Sequence, residues 1–200
     1  HPSSRAGVAA FTTSTGYGIA KYDNPEELSV SDRNNIGYQY TDCPLYWISV
    51  IYLNFAEAKA EMGSLTQDDL NNSINKLQAR AGLPAMTTTP DADPANNMGV
   101  SNLIWEIRRC RRCELIMDNW YRYWDLIRWH QLDKLDSTKY PNTMLGANVS
   151  NVPDCEEATK NGYIDASDAQ IRTYEAKHYF YPIPTTQLTL NKNMKQNPGW

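Results

Sequence analysis

The chain has 200 residues, of which 41% are hydrophobic and 21% charged, and its formal net charge is −4. That is enough chain for one domain, or a large part of one, to bury a core without disulfide or metal staples. The mild acidity lacks the basic excess that a phosphate backbone demands, which argues against nucleic acid as a partner, and no apolar run approaches the roughly 20 residues of a membrane-spanning helix.

The first residues, His1-Pro2-Ser3-Ser4, carry neither an initiator Met nor an apolar signal region. A mature protein or a fragment is therefore expected, with any export signal or lipid anchor outside this chain. The aromatic set is 13 Tyr and 6 Trp against 3 Phe, rings that carry a polar handle. Such rings suit sugar faces and wet surfaces, and they also fill cores when their polar tips are satisfied.

Residues 1–44 hold Gly7, Gly16, Gly18, Gly37, Pro25 and Pro44, which punctuate the backbone too often for a long helix. Loop with a short strand pair is expected. From Leu45 to Met62 the residues Ile48, Ile51, Tyr52, Phe55, Ala58 and Met62 recur at three- and four-residue spacing, which predicts a helix with that stripe as its apolar face. Gly63 is placed to end it. Thr66 is the expected N-cap of a second helix, with Asp68 and Asp69 in its first turn and Leu70, Ile74, Leu77 and Ala81 as its buried stripe. Gly82-Leu83-Pro84 stops that helix. So short a connection predicts an antiparallel hairpin of the kind that tetratricopeptide repeats stack.

Residues 85–100, with Thr87-Thr88-Thr89-Pro90-Asp91-Ala92-Asp93-Pro94, read as an exposed loop. Asp91 and Asp93 fall well short of the six to eight oxygens calcium takes. Ser101 is the expected N-cap of a helix running through Leu103, Ile104, Ile107, Cys110, Leu115 and Met117, and a further helix is expected from Tyr121 to about Leu135. Residues 136–175 are turn-rich, with Pro141-Asn142 and Asn161-Gly162, and predict little regular structure.

The densest charge run is Arg108-Arg109-Cys110-Arg111-Arg112-Cys113-Glu114. Arg111 and Glu114 stand three apart, as do Arg122 and Asp125, then Asp125 and Arg128, a spacing that lets opposite charges meet on a helix. Trp120, Trp124 and Trp129 are interleaved with them, so some guanidinium groups are expected against rings or partly buried. Because Glu114, Asp118 and Asp125 cancel the local field, the run favours a structural charge network over a phosphate or acidic-ligand site. The Cys110-x-x-Cys113 spacing suits a redox pair or half a zinc site. It sits inside a predicted helix, however, with only His1, His130 and His178 as company, and packing is the simpler role. A Cys43–Cys155 disulfide stays open for an oxidising compartment.

No nucleophile elbow, His-Glu-x-x-His helix, phosphate loop or Ser/His/Asp set is present. A carboxylate pair for glycoside hydrolysis remains open, since its members can lie far apart in sequence. The carboxylates among the aromatics, Glu114 and Asp125, have arginines at helical spacing that would hold them ionised, which disfavours a general acid. No metal and no cofactor is expected.

Five ordered blocks resemble the SusD/RagB family of Bacteroidota. They are Thr15 to Pro25 with its Gly16-Tyr17 and Lys21-Tyr22 pairs; Tyr52-Leu53-Asn54-Phe55-Ala56-Glu57-Ala58; Ile74 to Pro84; Ile107 to Leu115 followed by Arg122-Tyr123-Trp124-Asp125-Leu126-Ile127-Arg128-Trp129; and Tyr181-Pro182-Ile183-Pro184 with Leu190-Asn191 and Gln196-Asn197-Pro198-Gly199-Trp200. The chain departs from the common pattern at Trp47, Val50, Cys110 and Asp118-Asn119-Trp120-Tyr121. The resemblance implies an all-α fold of tetratricopeptide-like helical hairpins with long irregular loops. Within it, this chain corresponds to a C-terminal part: a lead-in at 1–44, a hairpin at 45–84, Arg/Trp-rich helices at 101–135, and loops and a closing tail at 136–200. It further implies a surface lipoprotein of the outer membrane that lids a SusC-like TonB-dependent transporter and captures oligosaccharide, or in some members peptide, without chemistry. Recognition is then expected from loop aromatics, with Tyr38, Tyr40, Tyr140 and Tyr163 as candidates. A helical scaffold that only docks on a protein partner, and a cryptic glycosidase, are the competing readings.

Overall fold

The computed structural model describes residues 13–18, 21, 26, 29, 31–32, 44–152, 159–167 and 169–200. It is mostly helical, and it adds to the expected helices a small three-stranded sheet. The short strand pair expected within residues 1–44 falls mostly outside the described residues. The chain divides into two compact units, Ala20–Arg122, and His1–Ile19 with Tyr123–Trp200.

In the first unit, α1 (Ile48–Glu61) buries Ser49, Leu53, Ala56 and Glu57. The stripe expected to be buried lies elsewhere: Ile48, Ile51, Phe55 and Met62 are between 42% and 70% exposed, and Tyr52 is half-buried. The helix is apolar on both sides, so periodicity alone does not choose between them. Small Ala56 and polar groups that complement α4 (Asn102–Glu114) mark the face that is covered. From α4, Arg108 reaches Glu57 (Nε–Oε1 3.3 Å) and Glu61 (3.0 Å), and Arg111 donates to Asn54 Oδ1 (2.7 Å). Ascending positions on α4 meet descending positions on α1, so the two helices lie antiparallel.

The second expected helix is broken into α2 (Gln67–Asn71) and α3 (Ile74–Arg80). Asn72 Nδ2 donates to the Asp68 carbonyl (3.0 Å) and Ser73 Oγ to that of Asp69 (2.5 Å), so side chains take over acceptors that a continuous helix would use. Thr66 closes a reciprocal capping box with Asp69, and the donors from Thr66 hold the Asp69 carboxyl below its usual range. Leu70, Ile74 and Leu77 are buried as expected, whereas Ala81 is exposed beyond the end of α3. They join Leu53, Ala56, Ile107, Leu115 and Met86 in one core, each large aliphatic being worth about 1.5–3 kcal/mol when fully buried. Met86 enters from the loop because Asn75 clamps its backbone, accepting from N (2.7 Å) and donating to O (3.1 Å).

Ser101 caps α4 by accepting from Ile104 N (3.3 Å). The helix ends at Glu114, so Met117 is outside it and exposed, contrary to the periodic reading. Met117, Asn119 and Trp120 all take left-handed φ values of 62°, 35° and 58°. Between them Asp118 turns inward to an ion pair with Lys21 (2.7 Å).

In the second unit, α5 (Tyr121–Arg128, its first two residues belonging to the other unit) stops well short of Leu135. His130 is left-handed (φ 53°), and a 3-10 turn follows at Leu132–Leu135. The stretch with little expected structure holds β1 (Leu145–Asn148), β2 (Thr159–Lys160) and β3 (Tyr163–Asp165), antiparallel in the order β1-β3-β2, with Leu145 opposite Asp165 and Thr159 opposite Ile164. Asn161 and Gly162, at φ 54° and 80°, make the two-residue turn between β2 and β3 whose twist suits a hairpin. Ile164 is buried on β3, and Ala147 N donates to the Thr15 carbonyl (2.8 Å), which lays the Thr15-Gly16 segment along β1. A short helix, α6 (Thr185–Leu190), precedes the tail.

Candidate ligand-binding site

Of the aromatic candidates read from the sequence, Tyr38 and Tyr40 lie outside the described residues. Tyr140 is half-buried, and Lys134 occupies it twice over, with Nζ 2.9 Å from the hydroxyl and 4.5 Å from the ring centre. Tyr163 is partly exposed on β3. Neither ring lines the aromatic cleft of this unit.

That cleft has a volume of about 410 Å³ and is lined by Tyr123, Tyr174, His178, Tyr181, Trp200 and Arg172, together with Leu132, Leu135, Thr173, Phe180 and Pro182. Its size falls in the range of small-ligand sites, and its mixture of apolar rings and a few polar tips is their usual chemistry. The wall is assembled from the closing tail. In Tyr181-Pro182-Ile183-Pro184 both prolines lack an N–H, so Ile183 holds the only central donor. The Gln196 amide takes that donor (2.7 Å) and returns one to the Ile183 carbonyl (2.9 Å), acting as a strand partner in side-chain form. Asn197 Nδ2 adds a bond to the Tyr181 carbonyl (2.7 Å).

Gly199 then turns the chain at φ 88°, where an added Cβ would stand 2.9 Å from Lys177 Cβ. The turn delivers Trp200, whose indole N–H donates to the carbonyls of Phe180 (3.0 Å) and Lys177 (3.3 Å). The indole is thereby fixed while 47% of the residue stays exposed. Lys177 Nζ lies 5.2 Å from its ring centre, and the His178 ring stands edge-on at 5.8 Å.

On another side, the hydroxyls of Tyr123 and Tyr181 are 3.2 Å apart. One donates to the other, which leaves the pair one O–H and spare lone pairs for a ligand. That bond, followed by burial, raises the Tyr123 phenol above its ordinary value. Burial and then a hydrogen bond with Tyr179 push the Tyr174 phenol further up, so Tyr123 and Tyr174 are neutral hydrogen-bonding groups at physiological pH. The stretch Arg172–Tyr174 is pinned by buried Asp136, which accepts from Thr138 Oγ1 (2.5 Å), Thr138 N (2.9 Å) and Tyr174 N (3.1 Å). The Thr138 hydroxyl first, then the Tyr174 amide, hold this carboxyl down at about 2. Such an arrangement can grip a ligand by ring stacking and hydroxyl hydrogen bonds.

The charge network follows the helical spacing at Asp125–Arg128 and departs from it at Glu114. Glu114 meets Arg80 through both carboxylate oxygens (2.5 and 2.6 Å), while buried Arg111 reaches Asn54 and lies 5.7 Å from the Tyr121 ring centre. Arg128 Nε donates to buried Asp125 (2.9 Å) and stacks over Trp129 (4.7 Å). Arg122 also has a partner within the fold. Burial, aided by Glu114, raises the Cys110 thiol to about 12, and Cys113 is exposed; both are free thiols. Among the described residues no group of three or more His, Cys, Asp or Glu is placed to hold a metal ion, and no helix is long and apolar enough to cross a membrane.

The cleft was not legible in the sequence because its members come from five separate stretches between Tyr123 and Trp200. The one signal was the closing block itself, which holds two of its rings.

A family model described as the SusD family matches residues 1–200. Among solved structures, the crystal structure of a SusD-like protein from Bacteroides fragilis NCTC 9343 aligns with a TM-score of 0.61 at 23% identity, over 94% of this chain. At that identity the likeness speaks for the fold, and the chain spans 31% of that relative's length. No curated protein matches the sequence.

Proposed function

The chain belongs to the SusD family, and from that premise we propose that it captures oligosaccharide at the cell surface, without chemistry, for import through a SusC-like TonB-dependent transporter. It would do so as the C-terminal part of a SusD-like domain built on tetratricopeptide-like hairpins, in a lipoprotein of the outer membrane. The observation that carries the reading is the aromatic cleft, whose indole is held by two backbone carbonyls and whose phenol pair keeps a hydroxyl to offer. Apolar C–H faces of a sugar ring stack on such rings, and the remaining polar tips reach its hydroxyls.

A second reading, a scaffold that docks on the transporter, is favoured by a different observation, the exposed apolar side of α1 formed by Ile48, Ile51, Phe55 and Met62. Contiguous apolar surface of that kind marks protein interfaces. Calorimetric titration against oligosaccharides and peptides separates the readings. Capture predicts heat with ligand recovered intact, and Trp200→Ala and Tyr181→Ala each weaken it. Cleavage products would point to an enzyme, and silence from every ligand alongside tight transporter binding would leave the scaffold.

A further inference from the structure

Resting on the reading of the aromatic cleft as a glycan site, we propose that the cleft selects acidic oligosaccharides, with Arg172 receiving a uronate carboxylate. The root of Arg172 is fixed from both sides. Its N–H donates to Ser137 Oγ (3.0 Å), its carbonyl accepts from Ser137 N (2.9 Å), and two residues on, Tyr174 N is tied to Asp136. The side chain is exposed and lines the cleft. Unlike Arg80, Arg108, Arg109 and Arg128, each of which reaches a carboxylate, Arg172 meets none among the described residues. Arg112, exposed on α4, shares that condition but is not among the residues that line the cleft.

The acids nearest in the chain are otherwise engaged or set back. Glu175 pairs with Lys177 (3.2 Å), Asp136 is buried among its donors, and Asp133 does not line the cleft. No Asp or Glu is among the described residues that line the cleft, so a ligand carboxylate would face a planar guanidinium fork whose donors match its two oxygens. The rings of Tyr181 and Trp200 supply the stacking surface, and the Tyr123–Tyr181 hydroxyl pair supplies contacts for ring hydroxyls. A carboxylate is thus what distinguishes the favoured sugar from its neutral counterpart.

The test titrates the protein with a trigalacturonate and with the same trisaccharide after its carboxyls are reduced to alcohols, at low and at high salt. The acidic ligand should bind on the order of ten times more tightly at low salt, the ratio should shrink as salt screens the contact, and Arg172→Gln should bring it close to one. Equal affinities for the two ligands, or a ratio unmoved by Arg172→Gln, would overturn the acidic selection while leaving the glycan cleft in place. Binding of both ligands that survives Trp200→Ala and Tyr181→Ala would instead overturn the cleft reading itself. Binding of an acidic peptide with neither sugar would overturn both.

Discussion

Removal of Glu57 gives the sharpest test of how the helical unit is held together. Its carboxylate is 3.3 Å from Arg108 Nε, with the two side chains 5% and 10% exposed. Taking one partner from a buried pair costs about 3–5 kcal/mol, because the remaining charge has lost its water as well as its partner. Arg108 would keep Glu61 at 3.0 Å, a carboxylate half in water, so Glu57→Ala should fall at the low end, about 3 kcal/mol. In a chain of this size 1 kcal/mol moves Tm by about 2–4 °C, which makes the expected loss about 6–12 °C. Urea and thermal melts followed by circular dichroism read it directly. Replacing both members, Glu57→Leu with Arg108→Leu, should recover most of the loss, since the carboxylate that then loses Arg108, Glu61, is half in water. Arg109→Ala, which removes a partly exposed pair with Glu106 and a cation–π contact with Trp105, should cost about 1 kcal/mol. A Glu57→Ala variant within 1 kcal/mol of the parent, or a double variant no better than the single, would refute the claim that this pair cements α1 to α4.

Three further outcomes follow from the geometry. Leu53→Ala, at a fully buried position, should cost about 2–5 kcal/mol, whereas Ile51→Ala on the exposed side should be nearly neutral; a reversed order in denaturation would mean that α1 faces the other way. Gly199→Ala forces a side chain into a left-handed φ that disfavours it by about 1–2 kcal/mol and against Lys177, so oligosaccharide affinity should drop about tenfold and Tm fall by about 2–8 °C. Asp136 has a folded-state carboxyl lowered to about 2, so its stabilisation is present above the ordinary carboxylate range and is lost as pH falls through that value. The charge-linked part of the Tm difference between the parent and Asp136→Ala should accordingly be full at neutral pH and fall progressively between about pH 5 and pH 1; a difference that does not shrink over that window would contradict the assignment.

The helix boundaries that depend on near neighbours were readable in advance. Thr66 and Ser101 cap their helices because an N-cap bond needs only the residue three positions on. The side of α1 that is buried was not readable, since Ile48, Ile51 and Phe55 offer as good a stripe as Leu53 and Ala56. Partners of α4 decide between them, and those partners lie more than forty positions away. The same distance defeats the pairing of Glu114, which helical spacing assigns to Arg111 and which the fold gives to Arg80. Strands of two to four residues are too short to show alternation, although the Asn161-Gly162 turn between β2 and β3 was visible.

The amino-acid order by itself determined the family, most of the helices and their caps, because each of these rests on composition or on bonds spanning a few residues. Tertiary structure alone decided which face of α1 is covered, which carboxylate each arginine meets, and the gathering of Tyr123, Arg172, Tyr174, His178, Tyr181 and Trp200 around one cleft. The physical reason is range: a capping bond closes within one turn, whereas a cleft wall exists only after segments far apart in the chain have been brought together by proline-spaced donors, amide side chains and a glycine turn.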